Sequence, residues 1–479
     1  MDILAQIINE NYKEFFSTQL KQVLEKLENP LVYSPSLNNY VELIRTIDKT
    51  FRKSVVDLLK SALEKMDKVY RNSPGRITRY YVKQTRRRTL VTVFGELTYL
   101  RTEYIDKYSG EPFCYVDRKL GLRRKERFDS CVQTLIIEGY ADCNSMIKVG
   151  KLVGDRISGS FNCDPNRDIA ISRQTVYNIL HRFNSIEVPM EPRKLTPKTL
   201  YVMADEKYLA TQRGPEKTKV MTKAAIIFEG VTIIMKKDGS LTERNELINK
   251  TTVLKAEGDI WQRIYDVLSQ LYDMDKVKML YLMGDGAKWL ESGQGDLKPP
   301  KGKTKFALDR FHFKQAINRI TTDEDTRKIL YKYGYHNMKK EFKAWVNAIK
   351  KSSPERTETI QENLTYLLNH WGHYQTMNME VMAGCSMEAA ISHVVASQFS
   401  SVPKAYSLKN LPLYFNYREL HQNNHDLRNV IITAMSIQRP NEKDIVIPSQ
   451  EYDFSIFEKK TYPDNPTIRE FNKNIITKF

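Results

Sequence analysis

The spacing of apolar residues divides the chain into helical and strand-forming stretches. Residues 1–75 place apolar side chains three or four positions apart, as between Phe51 and Met66, and this spacing predicts amphipathic helices. From residue 76 the pattern changes to alternating runs rich in Val, Thr and Tyr, and Phe94-Gly-Glu96 between two such runs predicts a β-hairpin. Helical spacing then returns, so residues 76–187 are predicted to form a hairpin followed by helices.

A polar stretch with three prolines, residues 188–197, predicts a linker before a second region. Beyond it, short apolar runs predict strands and one amphipathic stretch predicts a helix. The predicted strands span residues 199–205, 220–228, 231–235, 278–284 and 305–308, and the predicted helix spans residues 258–272. Three meandering strands, a helix and two more strands predict an α/β fold with a mixed sheet and helices on its faces, formed by residues 198–320 and completed by residues 384–402. This order of elements is similar to that of ribonuclease-H-like proteins, so we expect a ribonuclease-H-like core.

Between those two segments, residues 321–383 have helical spacing and predict an all-helical insertion with a turn at Ser352-Ser-Pro354. Trp345 and Trp371 lie on the apolar faces of this insertion. We expect both to be core residues, with stacking against nucleic-acid bases as the alternative. Residues 403–479 mix prolines with polar runs, and we expect them to wrap the core or to end in a partly disordered tail.

The composition is that of a globular protein without a membrane span. Of the 479 residues, 41% are hydrophobic and 28% are charged. No apolar run approaches about 18 residues, and the N-terminus lacks the basic flank of a signal peptide. We therefore expect two to four domains in the cytoplasm, with no membrane partner. Five scattered cysteines without a C-x-x-C pair argue against a disulfide framework and a zinc site.

The net charge of +17, from 75 Lys and Arg against 58 Asp and Glu, predicts a polyanionic partner, with an acidic small substrate or an anionic membrane as alternatives. The hairpin carries Arg86, Arg87 and Arg88 at its start and Arg101 on its second strand. Arginines interleaved with tyrosines suit phosphate contact and base stacking. A charged edge that deters strand pairing would give the same pattern. The N-terminal helices are expected to pack or dimerise, with direct DNA contact as the alternative.

A second candidate DNA contact is the predicted helix at residues 171–183. Ser172 can cap it, and its apolar stripe would leave Arg173, Gln174 and Tyr177 on the exposed face. This is the pattern of the recognition helix of a helix-turn-helix, whose polar face enters the major groove. Such helices also occur in bundles that bind no DNA.

Three acids stand where metal ligands are expected. Asp205 and Asp285 each end a short apolar strand, and Glu388 follows Ser386 in the first turn of a predicted helix. Two strand-end aspartates and a helix-borne glutamate resemble the acidic triad of the ribonuclease-H-like nucleotidyl transferases. Hard oxygen ligands suit Mg²⁺, and two such ions about 4 Å apart can activate an attacking oxygen and neutralise a leaving one at a phosphodiester. Alternatively, each acid simply ends a strand or caps a helix.

Four sequence blocks carry a resemblance to a known family. They are Val202-Met-Ala-Asp-Glu-Lys207, Met283-Gly-Asp-Gly-Ala-Lys-Trp289, Leu308-Asp-Arg-Phe-His-Phe-Lys314 and Gly384-Cys-Ser-Met-Glu-Ala-Ala-Ile-Ser-His393. Together they resemble the catalytic-core blocks of bacterial DDE transposases of the Lre-two insertion-sequence family, over most of residues 77–402. The resemblance implies that Asp205, Asp285 and Glu388 hold two Mg²⁺ ions, for which Mn²⁺ can substitute. It also implies a helical insertion and a role for His312 in orienting a phosphate or water, although His312 could instead be a satisfied neighbour of the helix-capping Asp309.

The sequence therefore predicts a DNA transposase that binds the ends of its own element, cleaves them and joins the 3′ hydroxyls to target DNA. The expected partners are double-stranded DNA and further copies of this chain on that DNA, in association with the nucleoid. Two alternatives remain open. One is a ribonuclease-H-like nuclease acting on branched or hybrid substrates, and the other is a DNA-binding regulator derived from a transposase.

Overall fold

The computed structural model describes residues 37–159, 170–182, 190–212, 219–235, 241–379, 387–400 and 406–437, together with residues 21, 186 and 382. Several predictions for particular segments concern residues outside these ranges. They include most of the first 36 residues, the capping residue Ser386 and the C-terminal tail beyond residue 437.

The N-terminal part is a small antiparallel sheet covered by a long helix. Its elements are α1 (Leu37–Arg71), α2 (Pro74–Arg79), β1 (Tyr80–Thr92), β2 (Gly95–Asp106), β3 (Pro112–Phe113) and α3 (Tyr115–Lys119). The predicted hairpin is confirmed, because β1 pairs with β2 from Tyr80 opposite Asp106 to Thr92 opposite Gly95. Gly95 has φ +123°, a conformation that side-chain-bearing residues rarely adopt. Helix α1 packs on β2 around three fully buried tyrosines, Tyr70, Tyr99 and Tyr104.

Within the described residues, three helices follow the small sheet. They are α4 (Ser130–Cys143), α5 (Met146–Ser158) and α6 (Arg173–Leu180). Asp129 caps α4 by accepting the Val132 N–H at 2.7 Å, and Ser172 caps α6 by accepting the Thr175 N–H at 3.1 Å, as the sequence predicted for Ser172. Only Asn144, in the left-handed conformation, and Ser145 separate α4 from α5.

The central element is a five-stranded mixed sheet, so the predicted α/β class is confirmed. Its strands are β4 (Thr199–Ala210), β5 (Lys219–Phe228), β8 (Thr251–Lys255), β9 (Met279–Gly284) and β10 (Lys303–Leu308). They lie in the order β10-β9-β4-β5-β8. Strands β9 and β10 run parallel to β4, whereas β5 and β8 continue it as an antiparallel meander. Helices α7 (Trp261–Leu271) and α8 (Lys288–Asp296) cover one face of the sheet.

The third strand of the meander differs from the prediction. Strand β6 (Gly230–Met235), which contains the predicted third strand, pairs with β7 (Leu241–Ile248) in a separate two-stranded sheet. The position in the main sheet belongs to β8, in which Thr251, Thr252 and Val253 are buried. Threonine is a good strand residue, but a search for apolar runs undercounts it, and this explains the wrong assignment.

Five helices and a 3₁₀ turn follow the last strand of the sheet. They are α9 (Arg310–Ile320), α10 (Glu324–Tyr335), α11 (Lys339–Ser352), the 3₁₀ turn Pro354–Arg356, α12 (Thr357–Asn369) and α13 (Trp371–Met377). Their core contains Phe313, Phe342 and Trp371. Trp371 is thus a core residue, as predicted. Trp345 is 41% exposed, so the prediction that it lies in the core is wrong.

The chain then returns to the second face of the central sheet. The remaining elements are α14 (Met387–Ile391), a π-helical turn (Ser392–Ala396), α15 (Ser397–Phe399), α16 (Leu411–Gln422) and α17 (Leu427–Ile437). These helices share one hydrophobic core with α4, α5, α6 and the sheet face that carries Tyr201 and Met203. Residues 406–437 therefore wrap the core, which was one of the two expectations for the C-terminal region.

Helix α16 also covers the open edge of the sheet at β8. The Asn423 side chain that follows it accepts the Thr252 N–H at 2.6 Å and donates to the Thr252 carbonyl at 2.8 Å. The buried Glu419 carboxylate accepts the Leu254 N–H at 2.6 Å and forms an ion pair with Arg263. The Asn423 amide and the Glu419 carboxylate thus form hydrogen bonds with backbone groups of β8 that could otherwise pair with another strand.

Among the residues that the structure describes, no helix combines the length and the apolar character needed to cross a bilayer.

Candidate functional site

Asp205 and Asp285 lie at matching positions of two neighbouring strands. Asp285 directly follows β9, as predicted, but the prediction that Asp205 ends its strand is wrong, because β4 continues to Ala210 and pairs with β5 over that length. Strand β4 pairs in parallel with β9, with Met203 opposite Met283, and each aspartate follows two residues after that pair. Because adjacent strands are about 4.8 Å apart, both side chains lie at the same edge of the sheet. Side chains two apart on a strand share a face, so Asp205 follows Met203 toward the core that contains α14.

The environment of Asp205 opposes its negative charge. Burial is the main cause that raises the pKa of its carboxyl to about 6, and the nearby charge of Asp285 adds to the rise. The Glu206 N–H, which donates to Asp205 Oδ1 at 2.7 Å, and the nearby His312 act in the opposite direction. The Ala287 N–H donates to Asp285 Oδ1 at 2.9 Å. Two carboxylates held close together by backbone donors form a site that favours a cation.

Glu206, the acid beside Asp205, is directed elsewhere. Its carboxylate accepts a hydrogen bond from Trp289 Nε1. The Trp289 ring stacks on Trp261 at 5.2 Å between ring centres, within the core on the other face of the sheet. Sequence alone could not separate Glu206 from Asp205 without the family resemblance, whereas the structure gives the two acids different surroundings.

Glu388 is the second residue of α14, and its side chain lies outside the described part of the chain. The helix itself packs against β4, the strand that carries Asp205. The predicted apolar stripe begins in this helix and continues through the π-helical turn and α15. It is buried as the sequence predicted and consists of Ile391, Val394, Val395 and Phe399. The first turn that contains Glu388 is therefore fixed on the same sheet face as Asp205.

Asp309 and His312 lie beside the two aspartates. Asp309 is buried and caps α9 by accepting the Phe311 N–H at 3.0 Å. Its own N–H donates to the Gly284 carbonyl at 2.9 Å, which joins the ends of β10 and β9. His312, half-buried in the first turn of α9, is close enough to Asp205 to lower the pKa of that carboxyl. Asp309 thus caps α9, and His312 lies near Asp205.

A second cluster lies behind the loop that follows Asp285. Gly286 has φ +87°, and a Cβ there would meet the ring of His370 at 3.0 Å. His370 Nδ1 lies 3.0 Å from Glu291 Oε1, and His373 Nδ1 lies 3.3 Å from the same oxygen. The sequence interpretation missed this cluster. The His-x-x-His spacing was visible, but the glutamate is 79 residues before His370, as 370 − 291 = 79 shows.

The structure divides the arginines of the hairpin into two groups. Arg88 and Arg101 are buried and form ion pairs with the buried Asp117 at 2.9 and 3.2 Å. Their assignment as DNA contacts is corrected, because their guanidinium groups face the interior. Arg86 and Arg87 are exposed, and the Arg86 guanidinium forms a long ion pair with Glu103 at 3.8 Å. These two remain available to a polyanion.

Helix α6 matches the predicted recognition helix only in part. Arg173 and Gln174 are exposed, whereas Tyr177 is half-buried and stacks on His181 at 3.9 Å between ring centres. Residues 160–169, between α5 and the cap of α6, lie outside the described residues, and the helix-turn-helix motif therefore stays a prediction. A short turn of two residues joins α4 to α5.

These features define a mixed α/β protein in which a five-stranded sheet brings two aspartates to one edge beside a histidine. The chain belongs to the uncharacterised protein family UPF0236, which matches residues 36–435. It is similar to the UPF0236 protein TTE0610/TTE0881/TTE1053/TTE2432 of Caldanaerobacter subterraneus subsp. tengcongensis, with 28% identity over 402 residues, 82% of this chain and 80% of that protein. A second relative from the same bacterium, whose name begins TTE0033/TTE0744, is 26% identical over 435 residues, 89% of this chain and 86% of that protein. Both names join several loci, so that bacterium carries many paralogues of the family.

Proposed function

We propose that this protein is a DNA transposase with a ribonuclease-H-like catalytic core, which cleaves the ends of its own element and joins the 3′ hydroxyls to target DNA. The observation that carries the proposal is the placement of Asp205 and Asp285 on adjacent chain segments, each two residues beyond the Met203–Met283 pair. Helix α14, which contains Glu388, packs on the face toward which Asp205 is directed. Three acids on two strands and a helix are the arrangement expected of the triad.

The order of the elements supports the same proposal. An antiparallel meander of β4, β5 and β8 is followed by helix α7 and by two strands parallel to β4. This is the order that the ribonuclease-H-like resemblance leads one to expect, once β8 replaces β6 as the third strand. Helices α10 to α13 between the last strand and α14 correspond to the expected insertion.

The donor atoms fit Mg²⁺ because carboxylate oxygens are its preferred protein ligands. Asp205, Asp285 and Glu388 would hold the ions, which would activate an attacking oxygen and stabilise a leaving oxygen at a phosphodiester. The backbone N–H groups of Glu206 and Ala287 each fix one oxygen of an aspartate, so these carboxylates are oriented before substrate binds. His312, in the first turn of α9, would donate a hydrogen bond to a phosphate oxygen.

Charge and copy number support DNA as the substrate. The net charge is +17, and the exposed Arg86, Arg87, Arg173 and Gln174 lie outside the acidic site. A family present as many paralogues in one bacterium is what a mobile element produces. We propose that several copies of the chain assemble on the DNA ends, as paired cleavage of two ends requires.

The proposal is tested with Asp285→Asn, which keeps the size of the side chain and removes its charge. We expect loss of nearly all Mg²⁺-dependent cleavage of DNA carrying the element ends, with unchanged thermal unfolding and end binding. The matched control is Asp275→Asn, which removes an exposed acid shortly before the start of β9, the strand that Asp285 follows. Equal cleavage by the wild type and Asp285→Asn, or equal cleavage in a chelator, contradicts the proposal.

The same assay separates the alternatives. Cleavage of branched DNA or RNA hybrids without joining would identify a nuclease. Specific binding to element ends with no cleavage in Mg²⁺ or Mn²⁺ would identify a regulator derived from a transposase. Joined products containing element and target sequence are expected only from a transposase.

A further inference from the structure

The loop after Asp285 is supported by a compact group of side chains that the proposed reaction does not use. Glu291 lies in the first turn of α8, His370 follows α12, and His373 lies in α13. One ligand atom of each lies within 4.8 Å of the other two. We propose that Glu291, His370 and His373 bind a divalent transition-metal ion of the Zn²⁺ class, separate from the Mg²⁺ site of the proposed function.

The spacing of the donor atoms matches the edge of a coordination tetrahedron. Glu291 Oε1 lies 3.0 Å from His370 Nδ1 and 3.3 Å from His373 Nδ1, and the two Nδ1 atoms are 3.4 Å apart. With metal–ligand distances of about 2.0–2.1 Å, the donors of a tetrahedral zinc site lie roughly 3.3–3.4 Å from one another. The three atoms therefore form one face of such a tetrahedron.

The chemistry of the donors selects the metal. Two imidazole nitrogens and one carboxylate oxygen suit Zn²⁺ and its neighbours in the first transition series, whereas Mg²⁺ prefers oxygen ligands alone. The side chains are partly open to solvent, with 33% of Glu291, 12% of His370 and 31% of His373 exposed. Water can therefore supply the fourth ligand.

The two rings are held in place before any metal binds. Tyr366 packs against the His370 ring at 4.7 Å, and Phe306 meets the His373 ring edge-on at 5.1 Å, both between ring centres. His370 also lies against Gly286, where there is no room for a larger residue. Aromatic neighbours that fix ligand orientation reduce the entropy lost on metal binding.

The position of the site indicates a structural role. Tyr366, in the helix that His370 follows, donates its hydroxyl hydrogen to the Asp285 carbonyl at 2.5 Å. A metal held by Glu291, His370 and His373 would join α8 to α12 and α13 around residues 285–287. It would act as a positioning centre for Asp285 and would take no part in the chemistry.

The test uses the untagged full-length protein, stripped of metal and kept in excess Mg²⁺ so that the acidic site is occupied. We expect about one equivalent of Zn²⁺ by elemental analysis, a tetrahedral visible spectrum with Co²⁺, and a higher unfolding temperature with Zn²⁺. Losing a supporting partner of a metal ligand costs about 10–100-fold in affinity, so losing a ligand should cost at least about 100-fold. We expect that loss in Glu291→Gln and in His373→Gln.

Two further variants make the result specific. His336→Gln removes an exposed histidine at the end of α10 and should bind Zn²⁺ as the wild type does. Asp285→Asn should also keep its Zn²⁺, so failure of the catalytic proposal can be recognised separately. Circular dichroism checks that the Gln variants are folded. Absence of Zn²⁺ and Co²⁺ binding by the wild type, or equal affinity in folded Glu291→Gln and His373→Gln, overturns the proposal.

Discussion

Arg88→Ala should destabilise the hairpin region through loss of a buried charge network. Arg88 donates to Asp117 Oδ2 at 2.9 Å and to the carbonyls of Arg123 and Glu126 at 2.9 and 2.8 Å. Side-chain exposure is 6% for Arg88 and 10% for Asp117. Removing one partner of a buried ion pair costs about 3–5 kcal/mol, because the other charge stays buried. Arg101 remains beside Asp117 and keeps the cost toward the lower end of that range.

Hydrogen exchange of the full-length protein measures this cost locally. Since about 1.4 kcal/mol corresponds to a tenfold change in an equilibrium constant, amides of β1 and β2 should exchange on the order of 10²- to 10³-fold faster in Arg88→Ala. The matched control is the exposed Arg87→Ala, which should change stability by no more than about 0.5 kcal/mol. Protection in Arg88→Ala equal to that of the wild type would refute the interpretation of Arg88 as a structural residue.

DNA binding should depend on the exposed Arg87 and not on the buried Arg88. Each phosphate that a protein neutralises adds about 0.9 to the slope of log affinity against log salt, so Arg87→Ala should flatten that slope by roughly this amount if Arg87 binds a phosphate. Arg88→Ala should leave the slope unchanged for the molecules that remain folded. A flattened slope in folded Arg88→Ala would show that its guanidinium reaches DNA.

Two more perturbations test other acidic side chains, the half-buried Asp129 and the buried Glu419. Burial raises the pKa of the Asp129 carboxyl from 3.8 to about 6. Protonated Asp129 therefore contributes to the stability of the folded state, fully below about pH 4, and this stability is lost as the pH rises through about 6. Asp129→Asn keeps an acceptor for the Val132 N–H and should exceed the wild type in stability at pH 7.5 by up to roughly 3 kcal/mol, with no such gain at pH 4 in thermal unfolding. Glu419→Ala leaves the Leu254 N–H without its acceptor and should lower stability by about 1–3 kcal/mol in urea unfolding. An unchanged urea midpoint would mean that Glu419 does not stabilise the sheet edge.

The sequence predicted the elements of the fold wherever apolar residues form a run. Most of the central strands and the capped helix at Ser172 were found for this reason. Strand β8 was missed because two of its five residues are threonines, and the hydrogen bonds that cover its outer edge come from Asn423 and Glu419. Those partners lie more than 160 residues away, with separations of 171 and 165 residues, so no local pattern reveals them.

The candidate site was predictable to a similar degree. The end of the strand before Asp285 could be predicted from its flanking residues, but β4 continues past Asp205, and the proximity of the two acids depends on the register of β4 with β9. For Arg88, the local pattern indicates burial but does not reveal the partner that permits it. Counting in steps of two from the buried Leu90 places Arg88 on the inner side of its strand, yet the acid that makes this burial possible, Asp117, is 29 residues further on. A buried arginine cannot be told from an exposed one until its partner is known.

The cover that α16 places over β8 has a consequence for the protein during its synthesis. Leu254 emerges from the ribosome 165 residues before Glu419, which accepts its N–H in the finished fold. At about 5–20 residues per second, the strand waits roughly 8–33 s for that partner. During this interval the nascent sheet presents an open edge to neighbouring chains on the same messenger RNA. A chain that stops before residue 411 would keep that edge open permanently, so truncated products of this gene should be the ones that aggregate or require a chaperone.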